Sequence, residues 1–307
     1  MRIFKTNLNI KFLNISKYMI SFSIIFLCIG IFSLLYKGIS ASIDFTGGTI
    51  INVSIESQEE IDLVILREQF SNLFQSNINI VEIEKENDKK HIIITTDFLE
   101  DESDLNRILK DYFGNNFNIE QIESIGPKIG DELQTNARNA ILVSLLLIGI
   151  YITIRFDSYY ALGSLAALLH DILFILSIFS IFSFELSIAI VAALLTIAGY
   201  SLNDTIVIYD RIRENILKFP KSDKKEVINQ SLNETLNRTI VTSITTLLVV
   251  IVLFLYGGEV LKPFALALII GVLVGTYSSL FIASPIMYLL DDKYNIGTEE
   301  EEPSHVD

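Results

Sequence analysis

Six long apolar stretches govern what this chain can become. They run over about 18–36, 140–154, 161–182, 186–209, 240–256 and 264–290. Roughly 18 or more such residues in a row read as a helix that crosses a bilayer. Polar flanks such as Asn136 and Thr242 extend the two stretches that are shorter by strict apolar count. The predicted fold class is therefore a polytopic α-helical membrane protein with six transmembrane helices. Half of the 307 residues are apolar and a fifth are charged, which excludes a disordered chain and an ordinary soluble protein. The first stretch follows Arg2, Lys5, Lys11 and Lys17 with no acid among them, as in a secretory signal. It exceeds the roughly 7–15 residues of a signal core, so it reads as an uncleaved anchor.

Orientation follows from the bases in the short loops. Arg155 sits in the turn after the second stretch, and the loop at 210–238 carries Arg211, Arg213, Lys218, Lys221, Lys224, Lys225 and Arg238. The turns on the opposite side hold Glu185 in one case, and Glu259 with Lys262 in the other. Both termini are expected in the cytoplasm. The predicted organisation is a cytoplasmic N-terminus over 1–17, a first span over 18–36 and an external domain over 37–135. Spans two to six follow over 136–290 with the cytoplasmic loop 210–238, and an acidic cytoplasmic tail over 291–307. The external segment has eight bases against twenty acids, so most of the chain's net charge of −14 lies there. That balance excludes general nucleic-acid binding, because little here would neutralise a row of phosphates. It fits a solvated surface, with repulsion from anionic lipid or a preference for basic partners as the alternative.

Within the external segment, 49–55 is β-branched and alternating, and 59–74 carries apolar residues at helical spacing. Residues 78–83 and 91–96 flank Asn87-Asp88 and read as a hairpin. A second amphipathic helix is expected over 101–113, with acids in its first turn complementing the helix dipole, and a last strand over 117–125. The order β-α-β-β-α-β is the split, ferredoxin-like arrangement. Such a domain serves many functions and decides none. His91 lies in a strand without a catalytic partner and reads as a surface residue.

No Walker loop, zincin helix or nucleophile elbow is present. The single cysteine, Cys28, reads as a small buried hydrophobe, and three histidines leave no zinc or other metal site. No cofactor is expected. The informative residues are the ionisable ones inside the spans, since a charge at the bilayer centre costs roughly 2.5–3.5 kcal/mol. Asn203-Asp204 lies in the fourth span, with Asp210, Arg211 and Arg213 where it emerges. At 1.5 Å per residue Asp204 sits about 10 Å before Arg211, within the hydrocarbon. It is either a helix–helix hydrogen bond or a protonatable carboxylate whose charge is read by a cation, as in a proton relay. Arg238 is the natural partner, because a guanidinium stays charged and grips a carboxylate with two donors. His170 and Asp171 are either packing hydrogen bonds or a branch of the same relay. Small residues recur at Ala192, Thr196, Gly199 and Asn203, and at Ala267, Gly271, Gly275 and Ser279, which predicts close helix packing. Residues 223–238 read as an amphipathic helix on the cytoplasmic surface.

Four motifs together resemble the SecF family of bacterial protein-export subunits, within the resistance-nodulation-division superfamily. They are Asp44-Phe45-Thr46-Gly47-Gly48, Gly126-Pro127 with Gly130 and Glu132-Leu133, Arg155-Phe156-Asp157 with His170-Asp171, and Tyr200-Ser201-Leu202-Asn203-Asp204-Thr205 running on to Asp210-Arg211-Ile212-Arg213-Glu214. The resemblance covers 1 to about 292. Ser42, where the family commonly has glycine, and Asn237, where it often has serine, depart from the pattern. The resemblance implies a bacterial inner-membrane protein that works with SecD and uses the proton motive force to complete translocation. SecA would already have driven the preprotein through the SecYEG channel, and YajC and YidC are further candidate partners beside the exported polypeptide and lipid. It places the membrane carboxylate on Asp204 and its partner on Arg238. Two other readings stay open: a half-size proton-driven exporter of small molecules, and a structural assembly factor that would need no buried carboxylate. An intramembrane enzyme lacks a nucleophile or metal set.

Overall fold

The computed structural model describes residues 9–55, 66–67, 71, 79–86, 89–99, 109–110, 113–114 and 116–295. They fall into two compact units, Met1–Ser40 with Asn139–Asp307, and Ala41–Arg138. The expected acidic tail, the Asn87-Asp88 turn and most of the helices expected over 59–74 and 101–113 lie outside the described residues.

The helices are α1 (Phe12–Tyr36), a single turn α2 (Ile43–Thr46), α3 (Pro127–Arg155), α4 (Ser158–Ile181), α5 (Ile188–Lys218), α6 (Lys224–Tyr256), α7 (Gly258–Ser278) and α8 (Ser284–Asn295). A π-helical turn, Ser279–Ala283, joins α7 to α8, so the last span is one rod with a widened step. Among the described residues, six helical segments are long and apolar enough to cross a membrane, at the positions of the six stretches. Several outrun the expected limits. The fourth continues to Lys218, and the fifth begins at Lys224 rather than Ile240.

The stretch 223–238 is therefore no separate surface helix. It forms the first turns of α6, and its apolar side is covered by protein, because Ile228 and Leu232 share a core with Phe12 and Leu13 of α1 and Ile212 of α5. Cys28, expected inside, is exposed on α1.

Along α4, α5 and the last span, apolar residues sort into two clusters. One holds Ile175 and Phe179, Ile190 to Ile197, and Ala267. The other holds Tyr160 and Ala167, Ile208 to Ile212, and Leu280 to Met287. On all three helices the polar residues His170-Asp171, Ser201 to Asp204, and Ser278 come between the two clusters in the chain. Burying a polar group needs a partner in compensation, so that layer is where the chemistry has to be sought.

In the second unit four strands form one antiparallel sheet in the order β2 (Asn79–Glu86), β3 (Lys89–Thr96), β1 (Gly48–Ile55), β4 (Phe117–Ile125). The register pairs Ile51 with Ile94 and Ile122, and Val53 with Ile92 and Ile119, which aligns the apolar residues on one face. Leu66 and Leu109 complete that core. The pairing shifts by one residue between Asn52 and Val53, leaving Glu120 as the extra residue of β4. Such a bulge turns a side chain out of alternation, and Glu120 meets His91 at 3.4 Å. His91 is thus half-buried and paired rather than free at the surface.

Two motifs far apart in sequence meet in this unit. Gly47 has φ +74, and a Cβ there would lie 2.8 Å from Pro127 Cα; one on Gly130 would lie 3.0 Å from Phe45 O. Only glycine tolerates both the positive φ and the contact. Ser42 is an N-cap, its Oγ accepting from Asp44 N at 3.3 Å, so the serine at this position gains a capping bond.

Candidate functional site

The buried polar layer centres on two carboxylates, Asp171 and Asp204, which are 1% and 3% exposed. Asp171 is fully engaged. Its Oδ1 pairs with His170 Nδ1 at 3.0 Å, and its Oδ2 accepts from Ser201 Oγ of α5 at 2.7 Å and Ser278 Oγ of α7 at 2.8 Å. His170 Nε2 meets Ser23 Oγ of α1 at 3.0 Å, Ser23 meets Tyr277 OH at 2.8 Å, and Tyr277 OH donates to Met19 O at 2.6 Å. Four helices are tied together at this level. Here α7 approaches α5 closely: a Cβ on Gly271 would collide with Ile197, and one on Gly275 would lie 3.0 Å from Ser201 Cβ.

The glycine ridge on α7 thus packs as its spacing predicts, but its counterpart on α5 does not. Ala192, Thr196, Gly199 and Asn203 are exposed in this chain, and a Cβ on Gly199 would meet nothing within 4 Å. The α5 surface facing α7 is the neighbouring stripe through Ile197 and Ser201. Steps of about 100° per residue separate two stripes that look alike in sequence.

Asp204 is the opposite of Asp171. Its Oδ2 is buried without a hydrogen-bond partner among the described residues, as are Tyr200 OH of the same helix and Thr239 Oγ1 of α6. The Thr242 hydroxyl of α6 faces the carboxylate, and Arg238 is the cation whose charge acts on it. Arg238 itself is exposed, and no Asp204–Arg238 ion pair within 4.0 Å occurs among the described residues. The direct grip expected from sequence is replaced by a longer-range interaction. An unpartnered buried polar atom costs about 1–3 kcal/mol, more when charged. Asp171, by contrast, has partners on both of its oxygens.

Asp210 and Arg211 lie away from this layer. Asp210 Oδ1 accepts from Arg155 at 3.0 Å, with both side chains 46% exposed. Arg211 bridges Glu214 at 2.6 Å and Glu234 at 2.5 Å, which joins α5 to α6. Sequence reasoning missed the residues that fix the same end of the bundle. Asn229 and Asn233 of α6 accept from Leu13 N and Ile10 N, both at 3.0 Å, and so bind the start of α1. Asn215 donates to Ser231 and Glu234, both at 2.9 Å. Two asparagines four apart beside an apolar stripe were the one available signal.

Fold and site together define a multi-pass membrane protein with a buried, underpaired carboxylate in its fourth span and a small antiparallel-sheet unit between its first two spans. Residues 104–293 match the family described as protein export membrane protein SecD/SecF, C-terminal. The protein translocase subunit SecF of Calditerrivibrio nitroreducens is 41% identical over 94% of this chain and 97% of its own length. That of Vibrio alginolyticus is 39% identical over 93% and 91%. The crystal structure of SecDF from Thermus thermophilus superposes with a TM-score of 0.82 at 34% identity, over 95% of this chain and 40% of the SecDF chain. The chain belongs to the SecF family of protein translocase subunits.

Proposed function

We propose that this chain acts as a proton-driven subunit of the Sec protein-export machinery, in the bacterial inner membrane with both termini cytoplasmic. The observation that carries the proposal is the condition of Asp204: buried in the fourth span of a SecF relative, one oxygen unpartnered, with Arg238 as the nearby cation. Proton uptake removes the carboxylate's charge and its attraction to Arg238, so α5 and α6 shift relative to each other. His170 and Asp171 form a branch of the same layer.

The SecDF chain of Thermus thermophilus is more than twice as long as the stretch matched here. A separate SecD would supply the remainder, which supports SecD as partner. Strand order β2-β3-β1-β4, all antiparallel, supports reading 37–135 as a ferredoxin-like external domain, with Leu66 and Leu109 packed on its apolar face. Shifts of the spans move this domain, which draws an exported polypeptide outward after SecA and SecYEG have passed it, with YajC and YidC as accessory partners.

Asp204→Asn keeps the size and removes the titration. Export that depends on the proton gradient should be lost in a strain lacking other copies, while insertion and SecD copurification stay normal. Full gradient-dependent export by that variant would overturn the proposal.

A further inference from the structure

The helix that carries Asp204 grips the last span at two places, one on either side of that residue. Three residues before Asp204, Ser201 shares Asp171 Oδ2 with Ser278, the final residue of α7. Five residues after it, Tyr209 OH donates to Ala283 O at 3.1 Å. The stretch of the last span between these two attachments is the π-turn Ser279–Ala283. A π-turn carries one more residue than an α-helical turn and disturbs the regular pairing of its carbonyls. Here Ser284 Oγ donates to Ser279 O at 3.0 Å, and Tyr209 reaches the carbonyl at the other end.

The packing around the second attachment is specific. A Cβ on Gly163 of α4 would lie 2.6 Å from Tyr209 OH and 2.8 Å from Ala283 O, so the missing side chain leaves room for this bond. The Tyr209 ring is held edge-on by Tyr160 at 4.8 Å and Phe156 at 6.0 Å, and the side chain is fully buried. At the first attachment Asp171 is braced through His170 and Ser23 to α1.

We infer that Asp171 and Tyr209 are positioning residues that convert displacement of α5 into displacement of the last span. Asp171 is the fixed point, since two serines from two helices depend on one of its oxygens. Tyr209, about 12 Å further along α5 at 1.5 Å per residue, is the point that pulls. The π-turn is the compliant step between them, because its extra residue lets the segment beyond it move while α7 stays packed on Gly271 and Gly275. This inference rests on the proposal that the charge of Asp204 changes during function.

The test places spin labels in the full complex with SecD in vesicles, on a Cys28→Ser background. One pair, Leu162→Cys with Leu217→Cys, reports α5 against α4. The other, Leu162→Cys with Leu289→Cys, reports the last span beyond the π-turn. All three leucines are exposed in this chain. Introducing Asp204→Asn should shift both distances by at least about 1.5 Å, one residue's rise. In Tyr209→Phe, which keeps the ring and its packing, the same change should still shift the first pair and leave the second in place. Asp171→Ala should broaden both distributions, and Asp171→Asn, which keeps an acceptor for the two serines, should narrow them again. A second pair that moves as far in Tyr209→Phe as in the parent overturns the inference alone. Two pairs indifferent to Asp204→Asn overturn it together with the reading on which it rests.

Discussion

Two glycines in the membrane unit should respond in opposite directions to the same alanine substitution. A Cβ on Gly275 would sit 3.0 Å from Ser201 Cβ, whereas one on Gly199 would find open space. Carbon atoms rest at about 3.5–4.0 Å, so Gly275→Ala forces α5 and α7 apart by roughly 0.5–1 Å. Overpacking of this kind costs about 1–3 kcal/mol. Both substitutions gain the same helix propensity, about 1 kcal/mol, so their difference isolates the packing effect. Reversible unfolding of the purified chain in mixed micelles should place Gly275→Ala below Gly199→Ala by roughly 1–3 kcal/mol. Equal stabilities for the two variants would refute the close α5–α7 contact.

Other expectations are simpler. Asn233→Ala and Asn229→Ala each remove an acceptor for a backbone amide at the start of α1, and each should cost about 0.5–2 kcal/mol in the same unfolding assay. Arg155 and Asp210 form an exposed pair, so a double-mutant cycle should find a coupling below about 1 kcal/mol that fades with salt. Gly47→Ala meets both a φ of +74 and the Pro127 backbone, and limited proteolysis should cut the second unit of that variant faster than the parent's. Arg238→Gln leaves folding intact and lowers gradient-dependent export, since the charge acting on Asp204 is gone; unchanged export would show that Arg238 is dispensable to the relay.

Much of the architecture is legible from local pattern alone. The spans can be read because each must by itself match the bilayer's thickness, and their positions agree with the helices even where the ends do not. The strands show the same legibility: alternation at Ile51, Val53 and Ile55, and at Ile92 and Ile94, already states which face is buried. The helices run past the apolar stretches, to Lys218 and from Lys224, because apolar runs mark where lipid is, whereas a helix continues as long as neighbouring protein satisfies it. Residues 223–238 look amphipathic for lipid and are amphipathic for protein; periodicity does not distinguish the two.

The site divides in the same way. Asp204, His170 and Asp171 stand out in sequence because ionisable residues in apolar runs are costly, and a cost is visible one residue at a time. Their partners carry no such mark. Serine and threonine are common in spans, and the choice of Ser201 and Ser278 for Asp171, with Asp204 left half-satisfied, depends on the angles at which helices cross. The sequence by itself determined that this chain has six stretches long and apolar enough to cross a membrane, with carboxylates among them. Only the tertiary structure decided which carboxylate has three hydrogen-bonding partners and which keeps an oxygen without one, because a turn of about 100° per residue separates a buried stripe from an exposed one.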